Sequence, residues 1–484
     1  MPVGELLLTF KGAQDLYLTD NPKISYFKSV YKKYTSFSME TIELDLNANS
    51  SNVFTSGIEN TDKTINFRIP RNGDLLHTIF LTIDIPDVFS TRDEQFQWIR
   101  RLGEYLIKSI VIKGGDSRVY SKITSEYLQF YAENYISKDK IDAYNEMIGN
   151  VPDMYDPANS QNNNGIYPIN NANIPTIKGR KLMIPIPFWF CLSSGCALPL
   201  VAIQKMEFEI IVELRNTIQL YTIVNNTVNS LSDATTTFRK RIRAPNTTNF
   251  FSTNIKNVAS SLSVFGTYIF LDREERKKFA LSEHEYLMTQ YQYIESTGLT
   301  ANNINIDMLN INHPIRQLIV FTRFKYNEDA NQWSNFTTWE YGPSGKLESP
   351  CNMNFSSQFI KSHYPSLSSN PEYYKHMDIV SDFLLELEGK EFRNGSNIEF
   401  YKYAQPYTYN KSLDSQNGIY SYSFALDNTK YQPSGSVNFS RIDSKKIKLT
   451  KRSNLTNETN IIVIAENLNL FKVLGGMSGV AYVN

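Results

Sequence analysis

Cysteine is nearly missing from this chain of 484 residues, with three in all, at Cys191, Cys196 and Cys351, and no C-x-x-C pair among them. A disulfide framework and a structural zinc site are therefore not expected, and a reducing compartment is. Long apolar runs are missing too. The richest region, 184–203, is interrupted by Pro185, Pro187, Ser193, Ser194, Gly195 and Pro199, short of the roughly 18 consecutive apolar residues that mark a membrane span, so no transmembrane segment is expected. The start, MPVGELLLTFKGAQ, has neither a basic beginning nor a long apolar core, and no signal peptide is expected. Charge excess is absent as well: Lys and Arg number 49, Asp and Glu 49. With no net positive charge to release counterions from a nucleic acid backbone, direct genome coating is disfavoured.

Catalytic patterns are equally scarce. The five histidines, His77, His284, His313, His363 and His376, are scattered. His284-Glu285 has no second histidine four residues away, so the zincin spacing is missing. Gly114-Gly115 lacks the Lys-Ser/Thr of a phosphate loop, and Gly475-Gly476-Met477-Ser478-Gly479 has no room for a following βαβ unit. Asp74 sits in a turn and is no catalytic candidate. No catalytic, cofactor-binding or metal-binding residue is assigned, no cofactor is called for, and the expectation is a protein that is not an enzyme.

Aromatics, by contrast, are plentiful: Tyr 30 and Phe 29 against Trp 4. They favour strands and packed sheet faces, and the length suits two β domains of about 200 to 250 residues each. In Gly418–Asp443 two alternating runs, Tyr420 to Leu426 and Val437 to Ile442, flank a turn cluster with Pro433 and Gly435. The pattern predicts two half-buried strands, with Tyr420, Tyr422, Phe424 and Leu426 on one face. Ile65–Ile69 and Leu75–Ile85, separated by Arg71-Asn72-Gly73-Asp74, predict a hairpin whose Asn-Gly pair accepts positive φ. Ser125–Tyr135 predicts a short helix with Tyr127, Leu128, Tyr131 and Tyr135 roughly on one face. Asparagine-rich 153–176 predicts a long loop.

Two basic stretches stand out. Lys23, Lys28, Lys32 and Lys33 are interleaved with Tyr26, Phe27, Tyr31 and Tyr34, a pattern read as an edge strand in preference to a nucleic acid site. Arg239-Lys240-Arg241-Ile242-Arg243 is read as a solvated linker or contact between subunits. An internal repeat also shows. Ile110-Val111-Ile112 with Phe130-Tyr131 is echoed by Phe383-Leu384-Leu385 with Phe400-Tyr401, and Phe208-Glu209-Ile210 by Ile447-Lys448-Leu449, as a duplicated sandwich predicts.

Longer motifs carry a family likeness: Gly12-Ala13-Gln14-Asp15, Leu18-Thr19 and Asn21-Pro22, then Phe27-Lys28, Val30-Tyr31 and Phe37; Arg71 to Leu75; Phe188-Trp189-Phe190 with Ala197 to Leu200; Phe265 to Asp272; and SFAL, QPSG and NFSRID within Gly418–Asp443, followed by Gly475 to Tyr482. Together they resemble the major capsid proteins of nucleocytoplasmic large DNA viruses over nearly the whole chain. The resemblance implies an all-β double jelly roll, two eight-stranded antiparallel sandwiches in tandem, divided as an N-terminal segment 1–26, a first jelly roll 27–214, a linker 215–261 and a second jelly roll 262–484. It implies a homotrimer forming pseudo-hexagonal capsomers that contact neighbouring capsomers, made in the host cytoplasm and located in the virion capsid. The N-terminal segment would then lie on the inner side, toward minor capsid proteins and an internal viral membrane. The alternatives are a minor capsid or assembly-scaffold protein of the same fold and, further off, a carbohydrate-binding or carbohydrate-cleaving jelly roll.

Overall fold

The computed structural model describes residues 2–46, 63–90, 94–115, 117–160, 167–168, 174–225, 255–256, 262–341, 347–348, 377–392, 397–410, 418–452 and 457–482. The basic run 239–243 lies outside them, as do Cys351, His363 and His376. Residues 1–37 form one unit and 38–484 a second. In the first, helices Val3–Leu7 and Ala13–Thr19 are followed by a stretch, 20–36, with neither helix nor strand. The edge strand expected over Lys23–Tyr34 is therefore not there: regular pairing begins only with β1, Phe37–Glu43.

The second unit contains two β-sandwiches. In the first, β1 is joined by β2 (Lys63–Arg68), β3 (Leu75–Ile85), β4 (Ile107–Gly114), β5 (Val119–Thr124), β6 (Arg180–Pro185), β7 (Phe208–Leu214) and β8 (Leu262–Leu271). They pair in the orders β1-β8-β3-β6 and β2-β7-β4-β5. The other contains β9 (His284–Leu299), β10 (Asn303–Asp307), β11 (Pro314–Phe324), β12 (Val380–Leu387), β13 (Lys390–Glu391), β14 (Ile419–Ser423), β15 (Lys445–Lys451) and β16 (Thr459–Leu474). Their orders are β9-β16-β11-β14 and β10-β15-β12-β13. Counted from its own start, each half reads 1-8-3-6 and 2-7-4-5, the winding of a jelly roll. The repeat seen in the sequence is this winding: β4 and β12 are both fourth strands, β7 and β15 both seventh. Phe130-Tyr131 and Phe400-Tyr401 each lie in the helical element that follows the fifth strand, an α-helix at Ser125–Tyr135 and a π-helix at Phe400–Ala404.

Four local expectations are corrected. Leu262–Leu271 was expected to open the second half, but its ladder pairs Leu262 with Ile83 and Ile269 with Leu75, closing the first sandwich. Tyr221–Asn225, within the expected linker, pairs with Glu94–Trp98. Arg71–Asp74 does not close a hairpin, because β2 and β3 belong to opposite sheets. Nor does Gly73 adopt positive φ there. It is needed for room, since a Cβ at Gly73 would stand 2.8 Å from that of Tyr268 on β8. Finally, the two runs around Pro433 pair side by side with β11 rather than with each other. The first stops at Ser423, leaving Leu426 76 % exposed. The second breaks into a 3-10 turn, Phe439–Arg441, where the Asn438 side chain accepts a hydrogen bond from the Ser440 N–H. The Ser125–Tyr135 helix forms as expected.

The two central strands of the β9-β16-β11-β14 sheet are covered on both faces. Leu318 and Val320 of β11 point into the core of the second sandwich, while the alternate Ile319 and Phe321 join the core cluster built on the first. On β16, Val463 and Ala465 likewise face one core and Ile464 the other. Successive strand residues point to opposite faces, so a strand covered on both reads as a nearly unbroken apolar run.

Candidate functional site

The functional geometry of this chain is the seam where the β9-β16-β11-β14 sheet meets the first sandwich. Helix Ser125–Tyr135 leaves β5 directly and lays its tyrosines against that sheet. Tyr127 OH donates to Glu466 Oε1 at 2.8 Å, and its ring lies 4.1 Å from that of Tyr291. Tyr135 OH donates to Gln317 Oε1 at 3.3 Å. Arg316 reaches Glu466 Oε2 from Nη2 at 2.9 Å and from Nε at 3.3 Å. Glu466 is fully buried, so both of its oxygens depend on these donors.

A second charged group lies nearby. Glu126 of the helix sits 3.5 Å from Arg323 of β11 and 3.6 Å from Arg215, which follows β7. Arg323 also donates to Glu328 at 2.8 Å and to the Trp333 carbonyl at 2.8 Å. Arg215 covers the Trp333 ring at 4.0 Å, and that indole N–H donates to the Gln219 carbonyl at 2.9 Å. Asn331 Nδ2, with its backbone at φ 58°, reaches the carbonyls of Ile218 and Tyr221 at 2.7 and 2.9 Å. Charges removed from water cost several kcal/mol each unless paired. Arg215 with Glu126 and Arg323 with Glu328 pair within their own sandwiches, and the Glu126–Arg323, Arg215–Trp333 and Asn331 contacts join the two across the seam.

At the other end of the seam the chain terminus folds back. Gly475 and Gly476, at φ 59° and 85°, turn β16 into Met477–Val480. The Gly476 carbonyl accepts from the Lys205 N–H at 2.9 Å, and Tyr120 OH donates to the Ser478 carbonyl at 3.0 Å. Beneath it Phe471 packs on Trp189 and Tyr120, with ring centroids 5.5 and 5.6 Å apart. The glycine cluster singled out in the sequence is thus a clasp between sandwiches.

The other singled-out residues make local contacts. Asp74 is buried, accepts from the Leu271 N–H at 2.8 Å and pairs with Arg276 at 2.8 Å, tying the 71–74 turn to the end of β8. His284 contacts the Phe279 carbonyl at 2.7 Å and stacks on Phe279 and Tyr286, while Glu285 pairs with Lys472 at 3.3 Å. His77 Nδ1 lies 2.9 Å from the Phe190 carbonyl. Burial pushes the Cys191 thiol up to about 12, which favours the neutral thiol at physiological pH. No group of three or more His, Cys, Asp or Glu that could hold a metal occurs among the described residues. Sequence reading passed over Glu466, Arg316 and Glu126. The signal was there in Ile461-Ile462-Val463-Ile464-Ala465-Glu466, where one charge closes an apolar strand and demands a buried partner.

Acid is expected to loosen the seam. Burial alone would raise the Glu126 carboxyl, but Arg323 and Arg215 outweigh it and hold the group below its ordinary value. A depressed folded pKa contributes stability above the unfolded value, lost as pH falls through the folded one. Melting temperature should therefore fall below about pH 4. Glu126→Gln, already lacking the charge at neutral pH, should start lower and lose less between pH 5 and pH 3. Equal acid slopes for both proteins would remove Glu126 as the cause.

Residues 25–272 match the protein family described as Major capsid protein N-terminus, and residues 275–479 the family described as Large eukaryotic DNA virus major capsid protein. The chain is 27% identical over 557 aligned residues to the major capsid protein of Phaeocystis pouchetii virus, covering 100% of both. To that of Pyramimonas orientalis virus it is 28% identical over 481 residues, covering 99% of both. Its fold matches a chain of the PBCV-1 virus capsid with a TM-score of 0.68 at 22% identity, over 95% of this chain and 100% of that one. The boundary between the two family matches falls just after β8, where the ladders place the end of the first sandwich.

Proposed function

Because the chain belongs to the major capsid protein family of large eukaryotic DNA viruses, we propose that three copies form a pseudo-hexagonal capsomer that tiles the shell of such a virus. The family is structural rather than enzymatic, and the job is geometric. The observation that carries the reading is the identical winding of two sandwiches, held side by side by a buried seam. Two like blocks per chain give six around a threefold axis, the outline that fills a flat lattice without gaps. A block can tile only if its two halves keep a fixed angle, and the Glu466 and Glu126 networks supply that. Neighbouring capsomers, and minor capsid proteins on the inner side near the N-terminal segment, are the partners this reading calls for.

Light scattering of the purified protein at low micromolar concentration tests it. The expected mass is three times that of the 55.7 kDa chain, since obligate interfaces of this kind bury about 2,000 to 5,000 Å² and hold at such dilution. A well-folded protein that stays monomeric would sink the capsomer reading.

A further inference from the structure

The first 37 residues hold an unusual share of exposed apolar surface. Of the 30 exposed large hydrophobic residues among those described, 15 lie between Val3 and Phe37. Tyr26 is 90 % exposed, Phe27 100 % and Tyr31 84 %. The same stretch is basic: between Asp20 and Glu40 stand Lys23, Lys28, Lys32 and Lys33 with no acidic residue.

These residues have a period that their present conformation does not use. At 3.6 residues per turn, Ile24, Phe27, Tyr31 and Tyr34 follow i, i+3, i+7, i+10, and Tyr26 and Val30 widen the same face. Ser25, Lys28, Ser29, Lys32 and Lys33 fall on the other. Asn21-Pro22 ahead of them is a helix-start signal, with a capping side chain followed by proline at the first helical position. Yet 20–36 is not helical. Tyrosines and β-branched Ile24 and Val30 are poor helix formers, and a 13-residue helix is marginal in water without a surface to cover its apolar face.

We propose that residues 22–34 fold into an amphipathic helix, about 20 Å long, on an anionic lipid surface. An aromatic and aliphatic face opposite Lys28, Lys32 and Lys33 suits the boundary between headgroups and acyl chains, and long lysine stems, that of Lys23 at the helix start included, let the ammonium groups reach the phosphates. Single-stranded nucleic acid fits less well. It would stack on the tyrosines but gains little from exposed Leu6, Leu7, Leu8, Leu16, Leu18 and Ile24. The inference extends the placement of this arm on the inner side of the shell. Its test leaves capsomer mass untouched, so failure of one is separate from failure of the other.

The experiment is flotation of the full chain with vesicles of phosphatidylcholine and phosphatidylserine at 3:1, with pure phosphatidylcholine vesicles and a 30-mer oligothymidine as controls. Co-flotation with the anionic vesicles, weakened by salt, is expected, together with protection of the arm lysines from trypsin. The triple variant K28Q/K32Q/K33Q should bind about a hundredfold more weakly. Val30→Pro keeps every charge but breaks the helix, and should also release the protein. These side chains are exposed, so the variants should fold as the parent does. No flotation, equal binding to neutral vesicles, capture of the oligonucleotide alone, or full binding by Val30→Pro would each overturn the proposal.

Discussion

Replacing Glu466 with alanine is expected to destabilise the folded chain by about 3–5 kcal/mol, the cost of leaving a buried charge without its partner. The carboxylate is fully buried and receives Tyr127 and both arms of Arg316. Its loss strands a guanidinium and a phenol at the same place. Burial on its own would lower the Arg316 pKa, but Glu466 more than reverses this and keeps the group charged. Removing both ions together, as Glu466→Leu with Arg316→Leu, should recover much of the loss, because apolar residues of similar size often match a buried pair in stability. Denaturant unfolding of the three proteins checks this. A loss under about 1 kcal/mol for Glu466→Ala would mean that water reaches the network and the seam is not dry.

Phe471→Ala is expected to cost a similar amount, about 3–5 kcal/mol, and also to uncouple the halves. Phe471 is fully buried on β16, yet it packs on Tyr120, Trp189 and Phe208, all of the first sandwich. Its removal opens a cavity between the sandwiches rather than inside one. Calorimetry should then show the single unfolding transition split in two, as the halves lose their coupling. Phe383→Ala is the control: Phe383 is equally deep but lies within the second sandwich, against Tyr401. That variant should melt earlier without splitting. Two variants that behave alike would show that the seam does not couple the halves.

Much of this architecture was legible in the sequence because it is local or repeated. The tyrosine spacing in Ser125–Tyr135 gives a helix, alternation gives strands, and the echo of Ile110-Val111-Ile112 in Phe383-Leu384-Leu385 gives the duplication. Pairing between distant strands was not legible. Leu262–Leu271 alternates as any half-buried strand does, and nothing within it says that its partner is Leu75–Ile85, almost two hundred residues earlier. The hairpin expected at Arg71–Asp74 failed for the same reason. Turn chemistry tells where a chain reverses, not whether the next strand stays in the same sheet. The seam was missed because its charges sit singly in apolar strands, and each looks like an exception until the partner strand is known. Arg316, Arg323 and Glu466 could have been flagged as buried ions in need of partners, but the pairing of Arg316 with Glu466, and of Arg323 and Glu466 with a helix far earlier in the chain, could not.

The strands covered on both faces set a rule of inheritance. If one jelly roll was copied to make two, the copies could diverge freely only where each faces water. On β11 and β16 neighbouring residues answer to different cores: Ile319 and Ile464 to one, Val320 and Val463 to the other. A change tolerated by the second roll alone can still be rejected by the first. The two halves must therefore be passed on as a matched set, and a crossover between relatives near residue 272 would join surfaces that never evolved together.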